Sequence, residues 1–72
     1  MNKIEYQLGD QEYIELNKVL KILRLVNSGG EANLCIDEGM VTVNKVKEFR
    51  RRRKLRNGDT VLFKGSLIVV VI

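Results

Sequence analysis

The densest chemistry in this sequence is cationic. Residues 45–64 carry nine Lys or Arg side chains against two acidic ones, a net charge of +7, whereas residues 1–44 carry four against seven, a net charge of −3. Guanidinium groups present a planar fork of donors that matches phosphate oxygens, and concentrated cations attract polyanions by releasing their counterions. The pattern predicts an anion-binding segment, called here the basic segment, made of Lys45, Lys47, Arg50, Arg51, Arg52, Arg53, Lys54 and Arg56.

The composition argues against several other chemistries. The 72 residues include no His and a single Cys. The chain therefore lacks the imidazole base of hydrolase triads, the ligands of Cys/His zinc sites and an intramolecular disulfide. We expect no catalytic residues, no cofactor and no metal. Glu31, Asp37 and Glu38 are interpreted as a solvated helix face, and Cys35 as a small buried hydrophobe.

Two helices are predicted in the first half of the chain. Alternation of apolar and polar residues over 4–8 indicates a strand, and apolar residues at three- and four-residue spacing then predict a helix from about Glu12 to Val26, capped by Asp10. Residues 28–31 have the capping-box spacing Ser-x-x-Glu, which predicts a second, short helix ending near Glu38. Gly39 follows it, where a residue that tolerates positive φ is needed.

Short strands are predicted in the second half. Residues 40–43, 60–63 and 66–72 have strand character, and the turn candidates between elements are 44–45, 57–59 and 64–65. Together the elements predict a single α+β domain over residues 1–72, with two helices packed on a small, mainly antiparallel sheet. The longest apolar run, residues 67–72, is too short for a membrane span, and no signal-peptide stretch is present, so a cytoplasmic monomer without membrane contacts is expected.

Three segments together resemble a known family. They are residues 28–32 (SGGEA), 36–44 (IDEGMVTVN) and 51–61 (RRRKLRNGDTV). Their order and spacing are similar to the RNA-binding domain named after the fourth ribosomal small-subunit protein, also called the alpha-L motif, over about residues 13–63. The whole chain looks like the small stand-alone bacterial version, the YaaA/YbcJ-like proteins. It departs from the family pattern at Lys45, where many members have Gly.

The resemblance implies a protein that binds structured RNA, either ribosomal or transfer RNA, in a ribosome-associated setting and takes no small-molecule substrate. The acidic residues of the second helix disfavour phosphate along its length, so the expected footprint is residues 44–56 together with the amides that begin that helix. Residues 28–30 have a second interpretation as a plain capped turn, and Phe49 as a core residue. The additional candidate RNA-binding residues are Lys18, Lys21, Ser28, Gly29, Gly30, Asn33, Asn44 and Phe49.

Other functions remain open from the sequence. The basic segment could dock on an acidic protein partner, as in an assembly factor, or bind DNA without specificity, or serve only as a solvated loop. If residues 50–53 are extended, their side chains alternate, so that one pair can grip a partner while the other bonds to acids of the same domain. Residues 67–72 would be an adhesive edge if no other strand covered them.

Overall fold

A computed structural model describes residues 2–72. The strands and helices are short and follow one another with few intervening residues. In chain order they are β1 (Asn2–Gln7), β2 (Ile14–Glu15), α1 (Leu16–Ile22), α2 (Gly29–Asp37), β3 (Val41–Val43), β4 (Val46–Lys47), β5 (Lys54–Leu55), β6 (Thr60–Phe63) and β7 (Ser66–Val71).

Five strands form one mixed sheet in the order β1-β7-β6-β3-β4. β1 pairs with β7 in parallel, and the other three pairings are antiparallel. Alternate residues of β6 and β7, including Val61, Phe63, Ile68 and Val70, are at most 1% exposed and form a core with apolar side chains of both helices. The predicted α+β fold with a mainly antiparallel sheet is confirmed.

The first helix is shorter than its periodicity predicts. Ile14 and Glu15 pair with β5 instead of joining the helix, and Arg24 adopts φ +59 just after it, which is incompatible with continuation. The predicted bounds and the predicted Asp10 cap were therefore wrong, since the N-cap is Glu15 and its side chain makes no capping bond. Apolar residues beyond the helix, such as Val26, still pack into the core, so the pattern continues where the helix does not.

The second helix begins as predicted. Ser28 Oγ accepts a hydrogen bond from the N–H of Glu31 at 3.1 Å, while Glu31 Oε1 accepts from the N–H of Asn27 at 2.6 Å, one residue before the expected partner. Gly29 and Gly30 are the first two helical residues and do not lie outside the helix. Gly39 follows the C-cap with φ +74, the left-handed conformation that favours glycine.

The predicted turns also form. Asn44 and Lys45 both have positive φ, +51 and +70, so Lys45 in the β3–β4 turn has a backbone conformation that residues other than Gly usually avoid.

β7 lies between β1 and β6, so residues 66–71 do not form a sheet edge. The last strand is therefore not an exposed adhesive edge, because the N-terminal strand β1 pairs with it.

Candidate nucleic-acid interface

The arginines lie in a loop whose backbone is fixed at several points. This segment, residues 48–53, is called here the arginine loop. At one end the N–H of Glu48 donates to the carbonyl of Val41 at 3.0 Å, beside the main sheet. At the other end the carbonyls of Arg53 and Arg51 accept from the N–H groups of Leu16 and Asn17 at 2.9 and 3.1 Å. The loop thus supplies acceptors to the first turn of α1, which has no side-chain cap of its own.

Glu48 is the anionic centre of the arginine loop. It is only 7% exposed, and its two carboxylate oxygens accept four hydrogen bonds. Arg50 donates three of them, from its backbone N–H and from Nε and Nη2, at 3.0 to 3.1 Å. Arg53 Nη1 donates the fourth at 2.5 Å. The bonds from Arg50, followed by those from Arg53, lower the pKa of Glu48 to about 2.

The remaining two arginines have different surroundings. Arg51 forms a bidentate ion pair with Asp37 at the end of α2, through Nε at 3.0 Å and Nη2 at 2.5 Å. The hydrogen bonds between the two side chains lower the pKa of Asp37 and raise the pKa of Arg51. Arg52 is exposed and makes no side-chain hydrogen bond or ion pair with any of residues 2–72 that the structure records.

The arginine loop is not extended. The N–H of Arg53 donates to the carbonyl of Arg50 at 3.3 Å, which closes a turn over the four arginines. The alternation expected for an extended segment, with residues 50 and 52 opposite 51 and 53, therefore does not occur: Arg50 and Arg53 converge on one carboxylate. Three of the four arginines do bond to acids of the same domain, as expected for some of them: Arg50, Arg51 and Arg53.

The turn creates an open concavity of about 440 Å³ lined by Arg50, Arg52, Arg53 and Lys54. All four lining residues are cationic, and one carboxylate, that of Glu48, is bound to two of them. Such a surface has a net positive charge and donors that converge on one region, which suits a phosphate group.

Lys54 and one further cation, Arg56, lie beside an aromatic ring that the sequence did not single out. Lys54 Nζ is 5.0 Å and Arg56 Cζ 5.5 Å from the ring centroid of Tyr13, within the range of cation–π attraction. Tyr13 precedes β2, which pairs with β5, the strand that contains Lys54. Only the pairing of two segments distant in sequence puts Tyr13 next to the basic segment.

The remaining predicted residues of the basic segment lie on the β3–β4 hairpin. Lys45 occupies its turn, and Lys47 lies on β4. Phe49 is 57% exposed, so it is not a core residue as one interpretation expected. Its ring lies against Gly39, since Phe49 Cε1 is 3.2 Å from the position that a Cβ on Gly39 would occupy. Asn44 acts structurally: its side chain bonds to Asp59 at 3.0 Å and accepts from the N–H of Thr60 at 2.9 Å.

The candidates on the helices are not gathered at the concavity. Lys18 is exposed and 3.6 Å from Glu15, and Lys21 lies in the last turn of α1. Asn33 Oδ1 accepts from Asn17 Nδ2 at 3.1 Å between the helices. A further group of candidates, at the start of α2, is about 12 Å along the helix axis from Asp37, at 1.5 Å per residue. That group comprises Ser28, Gly29 and Gly30.

Glu48, Asp37 and Tyr13 are the residues of this region that sequence reasoning missed. From the sequence, Glu48 contributes only to the charge count, Asp37 belongs to a solvated helix face, and Tyr13 is not singled out. Their ion-pair and ring contacts include partners 14 residues away, for Asp37 and Arg51, which no local spacing indicates. Cys35 is buried, as predicted. Within residues 2–72 there is no cluster of three or more potential metal ligands, and no helix is long and apolar enough to cross a membrane.

The fold and the cationic surface correspond to a known class. Residues 6–71 match the family described as the S4 domain. Since this match covers most of the chain, the protein belongs to the S4 domain family.

Particular relatives are similar along nearly the whole chain. "Putative RNA-binding protein YbcJ" of Escherichia coli (strain K12) is 38% identical over 66 residues, which are 92% of this chain and 94% of that protein. "Probable ribosome maturation protein RlbA" of Bacillus subtilis (strain 168) is 41% identical over 56 residues, 78% of this chain and 79% of that protein.

A solved structure agrees with the fold. The solution structure of E. coli YbcJ, described as revealing an ALFAL motif involved in RNA binding, superimposes with a TM-score of 0.75 at 36% identity, covering 100% of this chain and 91% of that one. The resemblance inferred from the three sequence segments is thereby confirmed.

Proposed function

We propose that this protein is a non-catalytic module that binds structured RNA, ribosomal or transfer RNA, through its phosphate backbone. The observation that carries the proposal is the concavity lined only by cationic residues. Folded RNA brings phosphates close together, and proteins recognise its helices mainly by shape and by phosphate and 2′-hydroxyl contacts. A preformed group of Arg and Lys donors meets that requirement without reading base edges.

Membership of the S4 domain family and the names of the relatives support this proposal. One relative is named for RNA binding and another for ribosome maturation, so we propose that the RNA is encountered on the ribosome or on its precursors. The proposed setting is the bacterial cytoplasm.

Each group of cations has a proposed role. Arg52, which has no acidic partner within residues 2–72, is proposed as the principal phosphate contact at the concavity, next to Arg50, Arg53 and Lys54. Arg56 extends the contact along the ring of Tyr13, and the hairpin contributes Lys45 and Lys47. The exposed ring of Phe49 is proposed to stack on an unpaired base. The amides that begin α2 form a separate, secondary contact, with Lys18, Lys21 and Asn33 on the helices.

Salt dependence is the first test. Binding of a transfer RNA and of a ribosomal RNA hairpin is measured by fluorescence anisotropy over a range of salt concentrations. If four to six phosphates are neutralised, log affinity against log salt has a slope of roughly −3 to −5. An affinity independent of salt would contradict the proposal.

Single substitutions sharpen this test, because replacing all four arginines would leave the buried Glu48 carboxylate without donors. Arg52→Ala is expected to lower affinity by roughly tenfold and to reduce the salt slope by about 1. Lys3→Ala removes the same charge from strand β1, outside the arginine loop, and is expected to have little effect. Competition with duplex DNA of matched sequence and with an acidic polypeptide separates the alternatives: equal binding of DNA indicates a non-specific role, and displacement by the polypeptide indicates a protein partner.

A further inference from the structure

Glu48 is a buried carboxylate in the most cationic part of the chain. Burial of a carboxylate is unfavourable unless its oxygens are fully bonded, and an apolar side chain of similar size often serves a buried position equally well. All four donors that satisfy Glu48 come from Arg50 and Arg53. The arrangement also imposes one geometry on these two arginines, which an apolar side chain at residue 48 could not do.

The bonds to Glu48 hold the side chains that line the concavity, in addition to the bonds that hold the backbone. The backbone of the arginine loop is already held by its carbonyls on α1, and the carboxylate then holds both guanidinium groups in one orientation. Arg50 uses Nε and Nη2 for Glu48, and Arg53 uses Nη1, so each retains N–H groups that Glu48 does not occupy. Side chains that are ordered beforehand lose less rotamer entropy when a ligand binds.

The charge that remains suits phosphate. The four lining cations and the single carboxylate leave a net charge of +3 around the concavity. Without Glu48, Arg50 and Arg53 would repel each other and the neighbouring Arg52, and the three side chains would spread apart. One acid thus lowers the total charge but keeps the donors together.

We infer that Glu48 is a positioning residue for phosphate recognition, which holds Arg50 and Arg53 so that the concavity beside Arg52 and Lys54 is preformed as a phosphate subsite. This inference rests on the proposed function and deepens it. It makes a prediction opposite to that of simple charge: removing this acid weakens the binding of RNA, although the protein becomes more positive.

The experiment compares Glu48→Gln with Glu38→Gln, an identical chemical change at the exposed C-cap of α2. Affinity for the same RNA hairpin is measured by fluorescence anisotropy, with the folded fraction of each variant determined by circular dichroism. Glu48→Gln is expected to bind roughly tenfold more weakly, by analogy with the lower end of the loss seen when residues that orient metal ligands are replaced. Glu38→Gln is expected to bind as the wild type or more tightly.

A second variant covers the case in which Glu48→Gln does not fold. Glu48→Asp keeps the charge but shortens the side chain, so one carboxylate no longer reaches both arginines. It is expected to bind RNA several-fold more weakly at unchanged net charge. Wild-type affinity in Glu48→Asp, or unfolding of both variants, would overturn the inference by making Glu48 a residue of stability alone.

A titration with inorganic pyrophosphate tests the phosphate subsite independently of RNA binding. Titration is followed by NMR at the backbone amides of Arg52 and Lys54, with shifts expected in the wild type and lost in Glu48→Gln. If RNA binds the wild type and Glu48→Gln equally well, the inference fails and the proposed function stands. If pyrophosphate binds in a Glu48-dependent way but no RNA binds, the subsite stands and the proposed function fails. If neither binds, both fail.

Discussion

The four consecutive arginines at residues 50–53 are chemically identical but have different neighbours. Arg50 and Arg53 share the buried Glu48, Arg51 pairs with the half-exposed Asp37, and Arg52 faces solvent. The two internal carboxylates reduce the repulsion that four consecutive guanidinium groups would otherwise cause. At this scale the run of arginines is a small network in which Arg52 alone has no acidic partner among residues 2–72, while Arg50 and Arg53 keep only part of their N–H groups for a ligand.

The pKa of Glu48 predicts a loss of stability in acid. Its pKa of about 2 in the folded protein lies below the ordinary Glu pKa of 4.5, so Glu48 stabilises the fold above pH 4.5 and this contribution disappears as the pH falls towards 2. The shift corresponds to about 3 kcal/mol. Urea unfolding of the wild type and of Glu48→Gln should differ by an amount of this order at pH 7, and the difference should shrink between pH 4.5 and 2. A difference that does not change with pH would contradict this origin of the stabilisation.

The two-stranded β2–β5 sheet and the start of α1 form one structural unit. Ile14 pairs with Leu55 across this sheet, both are buried, and the next residues of α1 donate to carbonyls of the arginine loop. The helix therefore begins where a distant loop supplies acceptors. At this scale the fold of the candidate interface depends on packing beneath it.

Ile14→Val tests that dependence. Removal of one buried methylene is expected to lower the free energy of unfolding by about 0.5–1.5 kcal/mol. Hydrogen exchange followed by NMR should quicken selectively at the amides of Leu16 and Asn17, which donate to the loop. Ile68→Val makes the same deletion in the main sheet and serves as the control. Equal acceleration at Leu16 and Asn17 in both variants would show that the loop opens only with the whole domain.

The main sheet protects its most apolar strand by placing it inside. β7 pairs with β1 on one side and β6 on the other, so the edges are β1 and the two-residue β4. β1 contains Lys3 and Glu5, and β4 contains Lys47, which are the kinds of residues that discourage edge-to-edge pairing. The formal net charge of +4 adds mutual repulsion between copies.

The whole molecule is therefore expected to remain monomeric. Sedimentation equilibrium should give the mass of one chain at both low and physiological salt. Lys3→Ile, which removes a charge from the β1 edge, is expected to increase self-association, whereas Lys64→Ala in the β6–β7 turn is not. A stable wild-type dimer would mean that an edge or an exposed face is used for assembly.

The sequence by itself determined the features that depend on neighbouring residues. The capping box of α2, the turn at Gly39, the strands β6 and β7 and the concentration of charge all follow from spacings of a few residues, which is the range over which propensity and capping act. The three segments that resemble the S4 family also indicated the fold. These predictions are confirmed where the structure and the relatives test them, except that Glu31 accepts from the N–H of Asn27 and not from that of Ser28.

Only the tertiary structure decided how the basic segment is arranged. The start of α1 depends on carbonyls more than 30 residues away, and the pairing of Arg51 with Asp37 spans 14 residues. Glu48 and Arg53 are close in sequence, but they meet only because the loop turns and is held on α1 and beside β3. Ion pairs between residues distant in sequence form wherever the packed chain brings opposite charges together, so the partners of such pairs are set by the fold.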